Sequence, residues 1–160
     1  MSGDAQAARN LARQARTVHR VSGLGSWRAA LRWISGAMLD RPQEAAVASG
    51  WWDTASQERP GWRERAAHLD DQPVFAVDYQ PCRRCRLAWV EQPYTDPRYQ
   101  RGGLARAGLA ALRTEHPGLS WHTLGNHLTE SQAFWAAVGA DAPGGYSQRH
   151  QTQASPQVKA

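Results

Sequence analysis

The sequence has few of the features that would place it in several large classes of protein. Its 160 residues include only two cysteines, which is too few for the disulfide framework of a small secreted domain. No apolar run approaches the length needed to cross a bilayer, and the N-terminus lacks the apolar core of a signal peptide. These features predict a cytoplasmic protein with no membrane partner.

Lysine is also nearly absent, since Lys159 is the only one, and the net charge of +5 therefore comes from arginine. Arg9, Arg13, Arg16 and Arg20 are spaced by three or four residues within an alanine-rich segment, residues 4–21. This spacing would place all four on one stripe of a helix. We favour a solvated helix face, and we keep a nucleic-acid contact as the alternative.

Length and composition predict one folded domain with loose ends. The chain is long enough to bury a core, and its 41% hydrophobic content and eight tryptophans argue against disorder. The first seventy residues have a helical pattern, with helices predicted from Ser26 to Met38, from 43 to 49 and from 61 to 69. We predict a basic N-terminal helix or arm over residues 1–22, a single domain over 23–150 and a flexible tail over 151–160.

The pattern changes to strands from Gln72 onward. Residues 73–79 and 86–94 are rich in strand formers, and the turn between them carries Cys82 and Cys85, which predicts an antiparallel hairpin. Further strands are predicted over 119–124 and 145–149, and helices over 104–113 and 131–139. The predicted fold class is therefore α/β, with a mixed central sheet flanked by helices.

The junction between the hairpin and the next helix carries the most specific pattern, Pro97-Arg98-Tyr99-Gln100-Arg101-Gly102-Gly103-Leu104-Ala105. Two glycines allow a sharp turn there and a close approach of the backbone to a ligand. The first amides of a helix have no partner within the helix and favour an anion. Arg98 and Arg101 flank the turn and could bind the same anion, so the pattern predicts a phosphate-binding turn.

The segment from Gln100 to Ala105 fits [QR]-x-x-G-x-[GA] and resembles the acyl-CoA-binding signature of the GNAT superfamily of N-acetyltransferases. The segment from Ser131 to Ala140 resembles the second signature of that family, on a helix beside the pantetheine arm. The resemblance implies a GNAT-like fold, acetyl-CoA as acyl donor and an amine acceptor, and it leaves a homodimer open. The alternative is a non-catalytic module that binds acyl-CoA or associates with nucleic acid. The implied cofactor-binding residues are Arg98, Gln100, Arg101, Gly102, Gly103, Leu104, Ala105, Ser131 and Trp135.

The catalytic residues are less clearly marked. Glu91 is the one carboxylate on the predicted fourth strand and is the candidate general base, with an exposed strand-end glutamate as the alternative. Trp135 occupies the position where many family members carry a tyrosine that protonates the leaving thiolate. His122 and His127 could face the acceptor or simply be packed. The family fold begins with a strand, and none is evident before Trp27, so the N-terminal region is predicted to be helical and atypical.

Cys82 and Cys85 supply half of a tetrahedral zinc site. His68, His150 or a neighbouring subunit could complete it, but no spacing selects among them. We favour two reduced surface cysteines, leave zinc as the alternative and assign no metal ligands.

Overall fold

The computed structural model describes residues 2–20 and 50–151. The helices are α1 (Ser2–Arg13), α2 (Leu104–Glu115) and α3 (Gln132–Gly139), with short 3-10 turns at Pro97–Tyr99 and Thr129–Ser131. The strands are β1 (His19–Arg20), β2 (Trp51–Ala55), β3 (Arg63–Leu69), β4 (Gln72–Cys82), β5 (Leu87–Val90), β6 (Tyr94–Thr95), β7 (Ser120–Thr123) and β8 (Ser147–Gln148).

The strands form one mixed sheet in the order β1-β2-β3-β4-β5-β7-β8, and β6 pairs with β4. The run from β2 to β5 is an antiparallel meander, whereas the β1–β2, β5–β7 and β7–β8 pairs are parallel. Parallel neighbours need a crossover connection, and α2 and α3 supply it after β5 and β7. The predicted α/β class with a mixed sheet flanked by helices is confirmed, as is the β4–β5 hairpin.

The core lies between the helices and the face of the sheet that carries Trp51 and Phe75. Gly108 lets α2 approach this face, because a Cβ there would lie 2.8 Å from the Phe75 ring. Helix α1 lies against the same face, and the Trp51 indole donates a 2.8 Å hydrogen bond to the carbonyl of Leu11. These contacts fix α1 and α2 side by side.

The helix predicted over residues 61–69 is wrong, because this segment forms strand β3. Arginine, glutamate and alanine favour helices on propensity alone. In the sheet, β3 pairs along its length with β2 and β4, and Arg65 and Ala67 face the same core. Pairing on both sides outweighs the local propensity. Strand β2 lies in the region that the sequence pattern assigned to helices.

The N-terminal region also differs from the prediction. Helix α1 ends at Arg13, Arg16 lies in the following turn and Arg20 lies on β1, so the four-arginine stripe does not form. Strand β1 also shows that a short strand does precede Trp27. The helices predicted from Ser26 to Met38 and over 43–49 lie outside the described residues, as does the tail beyond Gln151. In the described ranges, no helix has the length and apolar character needed to span a bilayer.

Candidate functional site

The predicted phosphate-binding turn links β6 to α2. The Asp96 carboxylate accepts the N–H of Arg98 at 2.9 Å and begins the 3-10 turn. Arg101 (φ 61°) and Gly103 (φ 85°) then adopt left-handed backbone conformations, and α2 begins at Leu104. Space is open around Gly103, where a Cβ would meet no heavy atom within 4 Å. The first amides of α2 therefore end in an open turn at the positive end of the helix dipole.

Gly102 has a different role from the one the sequence suggests. It is buried, and a Cβ at this position would lie 2.3 Å from the Cβ of Ala8 on α1. The glycine is thus required for α1 to pack against the turn. Sequence reasoning missed this contact because it joins segments more than ninety residues apart.

The polar side chains of the turn mainly stabilise the turn itself. Arg98 donates two hydrogen bonds to the Asp96 carboxylate, at 3.0 and 3.2 Å, and these bonds lower the pKa of Asp96. Gln100 donates to the carbonyl of Thr95 at 3.1 Å. Leu104 is buried in the core, and Ala105 packs partly against it. Arg101 is exposed and is the arginine best placed to meet an incoming anion.

A β-bulge lies just before the turn. Tyr79 pairs with Val90 and Ala76 pairs with Tyr94, so two residues of β4 stand opposite the three residues 91–93. The parallel pairing of β5 with β7 ends at the same level, at Val90 and Thr123. The pairing therefore stops at the carboxyl ends of both parallel strands, and ligands bind beyond this end in open α/β sheets. The bulge re-aims the strand at this point.

Trp135 lies on α3, and Ser131 lies just before this helix. The Trp135 indole is buried, stacks on His127 at 4.8 Å between ring centroids and donates to the side-chain oxygen of Gln92 at 3.2 Å. The bond joins α3 to the bulge. The Ser131 hydroxyl is also buried, and it donates to the carbonyl of Leu128 at 3.0 Å.

Glu91, the candidate base, follows β5 directly. Its backbone N–H donates to the carbonyl of Asp78 at 2.9 Å, and its carboxylate forms a 2.7 Å ion pair with Arg59. The Arg59 guanidinium in turn lies over the Trp62 ring at 5.1 Å. The carboxylate is partly exposed, and the ion pair engages one of its two oxygens.

The two histidines after β5 are held by neighbours. The His122 ring lies 3.0 Å from the Ser120 hydroxyl and 3.2 Å from the Ser147 hydroxyl, and burial lowers the pKa of His122. His127 Nε2 lies 2.9 Å from the carbonyl of Tyr146. Both rings therefore have a packing role.

Comparison with protein-family models, with curated proteins and with solved structures finds no match for this chain. Functional inference therefore depends on the geometry of these residues.

Cys82 and Cys85 lie at the tip of the β4–β5 hairpin, as predicted. Both thiols are free, and the N–H of Cys85 donates to the Cys82 sulfur at 3.2 Å. Within the described residues, no group of three or more histidine, cysteine, aspartate or glutamate side chains could hold a metal ion. His68 packs against Trp52 with ring centroids 4.6 Å apart, and it is not part of such a group.

Sequence reasoning missed a buried ionic network centred on Asp53. Its carboxylate accepts hydrogen bonds from Arg63, from Arg65 at 2.8 Å and from the Tyr79 hydroxyl at 2.6 Å. Arg65 also donates to Glu115 on α2, at 2.8 and 3.1 Å. Arg63 and Arg65 lie two residues apart, so in a strand they share one face, and this spacing was the signal for the network. It could be used only if the segment had been predicted as a strand.

Proposed function

We propose that this protein is an acetyl-CoA-dependent N-acetyltransferase of the GNAT type that acts on an amine acceptor. The observation that carries the proposal is the open glycine turn at the start of α2, which follows a β-bulge just beyond the end of the β5–β7 pairing. This geometry offers the first amides of α2 to a diphosphate and places the rest of the coenzyme beyond the carboxyl ends of β5 and β7.

The coenzyme would be held mainly by backbone groups. The amides of Gly103, Leu104 and Ala105 would bind the diphosphate, with Arg101 adding a charge-assisted bond. Arg98 would contribute only if it exchanged its bonds to Asp96 for bonds to the ligand. The pantetheine arm would then run toward the carboxyl ends of β5 and β7, where their pairing stops.

The residues of the bulge would supply the hydrogen-bond donor and the general base. Attack on the thioester places negative charge on the carbonyl oxygen, which needs a hydrogen-bond donor. The N–H of Glu91 is bonded and Pro93 has none, so Gln92 carries the N–H that lies outside the β4 ladder. Glu91 would take the proton from the acceptor amine on the carboxylate oxygen that is not paired with Arg59. The indole of Trp135 cannot protonate the thiolate, so water would supply that proton.

A non-catalytic acyl-CoA-binding module is the second candidate. The ion pair of Glu91 with Arg59 and the bond between Trp135 and Gln92 favour it, because both engage groups that catalysis would use. Nucleic-acid association has less support, since the four arginines from which it was inferred do not share one helix face.

Calorimetry with acetyl-CoA and with free CoA tests the binding step. We expect Gly103→Glu to abolish binding, because it places a carboxylate among the amides that hold the diphosphate. Gly61→Glu is the matched control, since Gly61 (φ 81°) is also exposed and left-handed, and a Cβ there would make only an ordinary 3.4 Å contact with the Gln80 side chain. No heat from the folded protein, or equal losses in both variants, would overturn the proposal.

A thiol-release assay with polyamines, aminoglycosides and basic peptides separates the enzyme from the binding module. For the enzyme we expect Glu91→Gln to lower kcat by a factor of about 10² or more without loss of coenzyme affinity. Glu130→Gln removes an exposed carboxylate elsewhere and should leave kcat unchanged. Coenzyme binding without turnover on any acceptor would favour the binding module.

A further inference from the structure

A cavity lies at the amino ends of β5 and β7, opposite the end that carries the glycine turn. Its volume is about 250 Å³. It is formed by the hairpin tip and by the segment that follows α2. The lining residues are Arg83, Arg86, His116, Pro117, Gly118 and Leu119.

His116 is the unusual residue of this cavity. Its side chain is nearly buried, at 9% exposure, and neither Nδ1 nor Nε2 has a hydrogen-bond partner. The His116 ring lies near the rings of Tyr79 and Trp121, at 5.7 and 6.4 Å between ring centroids. Buried polar atoms are nearly always hydrogen-bonded, so His116 is a polar group beside the cavity that lacks the partner such a group normally has.

The two arginines of the cavity also lack polar partners in the described part of the chain. Among the residues that the structure describes, the guanidinium groups of Arg83 and Arg86 have no ion pair or hydrogen bond. Arg86 is held in a left-handed conformation (φ 55°), and its carbonyl accepts the N–H of Ser120 at 2.9 Å. The backbone therefore fixes one cationic residue at the start of β5, beside His116.

We propose that this cavity binds a small phosphate-bearing anion, with Arg83 and Arg86 donating to the phosphate oxygens and His116 donating from its ring. Guanidinium groups match phosphate oxygens in geometry and stay charged, and an imidazole can supply a further donor. Helix α2 has 12 residues and therefore separates this cavity from the glycine turn by about 18 Å. The site is distinct from the proposed coenzyme site.

The surroundings of His116 give this proposal a spectroscopic readout. Burial lowers the pKa of His116, the Glu115 carboxylate opposes this shift, and the guanidinium groups of Arg83, Arg65 and Arg20 add to it. A bound phosphate dianion would offset the arginine charges and stabilise the imidazolium. Binding should therefore raise the pKa of His116.

The test is a titration of the whole protein with sodium phosphate, followed by histidine-ring NMR at constant ionic strength. We expect saturable shifts of the His116 signals, identified by their loss in His116→Gln, and a raised pKa of His116. Arg83→Gln and Arg86→Asn should each weaken binding about tenfold or more, the loss expected for a charge-assisted bond. Asparagine tolerates the left-handed conformation at 86. Arg84→Gln, in the same turn but outside the cavity lining, is the matched control.

Unchanged His116 signals in phosphate would overturn the proposal, and so would equal weakening in all three arginine variants, which indicates diffuse attraction. Parallel titrations with phenyl phosphate show whether free phosphate or a phosphate ester binds more tightly, and saturation by either supports the proposal. A single-stranded oligonucleotide that displaced both would overturn it, because the partner would then be a nucleic acid.

Discussion

Removing the carboxylate of Asp53 should destabilise the protein strongly. Asp53 and Arg65 are both fully buried and joined at 2.8 Å, and Asp53 also accepts the Tyr79 hydroxyl. Breaking a buried pair by removing one partner costs about 3–5 kcal/mol, because the remaining charge is left without compensation. Glu115 keeps its two bonds to Arg65, so we expect Asp53→Ala to cost about 3 kcal/mol, at the lower end of this range.

Urea and thermal denaturation measure this cost. For a chain of this size, 1 kcal/mol corresponds to about 2–4 °C, so Tm should fall by about 6–12 °C. Asp141→Ala is the matched control: Asp141 is exposed, and its loss should change the free energy of unfolding by less than about 0.5 kcal/mol.

The pH dependence gives a second check on the same residue. Burial raises the pKa of Asp53, but the bonds from Tyr79 and Arg65 and the nearby arginine charges outweigh burial, so its pKa is lowered in the folded state. The stabilisation is therefore fully present above the unfolded-state pKa of about 3.9, and is lost as pH falls through the lower folded-state value. The stability gap between wild type and Asp53→Ala should narrow below about pH 4. A gap under about 1 kcal/mol at pH 7, or one that stays constant down to pH 3, would refute the reasoning.

Three further substitutions test the packing and the cysteine turn. Gly108→Ala should lower the free energy of unfolding by about 1–2 kcal/mol in urea denaturation, because the clash with Phe75 outweighs the better helix propensity of alanine. A stabilised variant would contradict this packing. Gly102→Ala should speed hydrogen exchange in α1 but not in α2, since the new methyl group displaces Ala8; unchanged exchange in α1 would count against the contact. Elemental analysis should find no stoichiometric zinc in wild type or in Cys82→Ser, because the described residues provide no group of three ligands. One equivalent that disappears in Cys82→Ser would show a zinc site.

Much of the C-terminal half could be predicted from the sequence. The β4–β5 hairpin has strand formers on both sides of a polar turn, and α2 has apolar residues at helical spacing after a glycine pair. Both signals are local. The end of α1 at Arg13 and the strand character of β3 were missed, because they depend on which segments pair and pack.

For the candidate site, the position of the turn could be predicted from the sequence, but the partners of its side chains could not. Arg98, Gln100 and Glu91 were assigned to ligand or proton chemistry from their positions along the chain. In the structure, Arg98 pairs with Asp96 and Glu91 pairs with Arg59. A pairing between side chains depends on three-dimensional proximity, and a single sequence does not record it.

The sequence by itself determined the class of fold, the cysteine hairpin and the glycine turn at the start of α2, since each follows from the conformational preferences of neighbouring residues. Only the tertiary structure decided that α1 packs on Gly102, that Asp53 and Arg65 share a buried ionic network, and that Arg83, Arg86 and His116 line one cavity. The physical reason is that burial and charge pairing are set by segments that the fold brings together from distant parts of the chain.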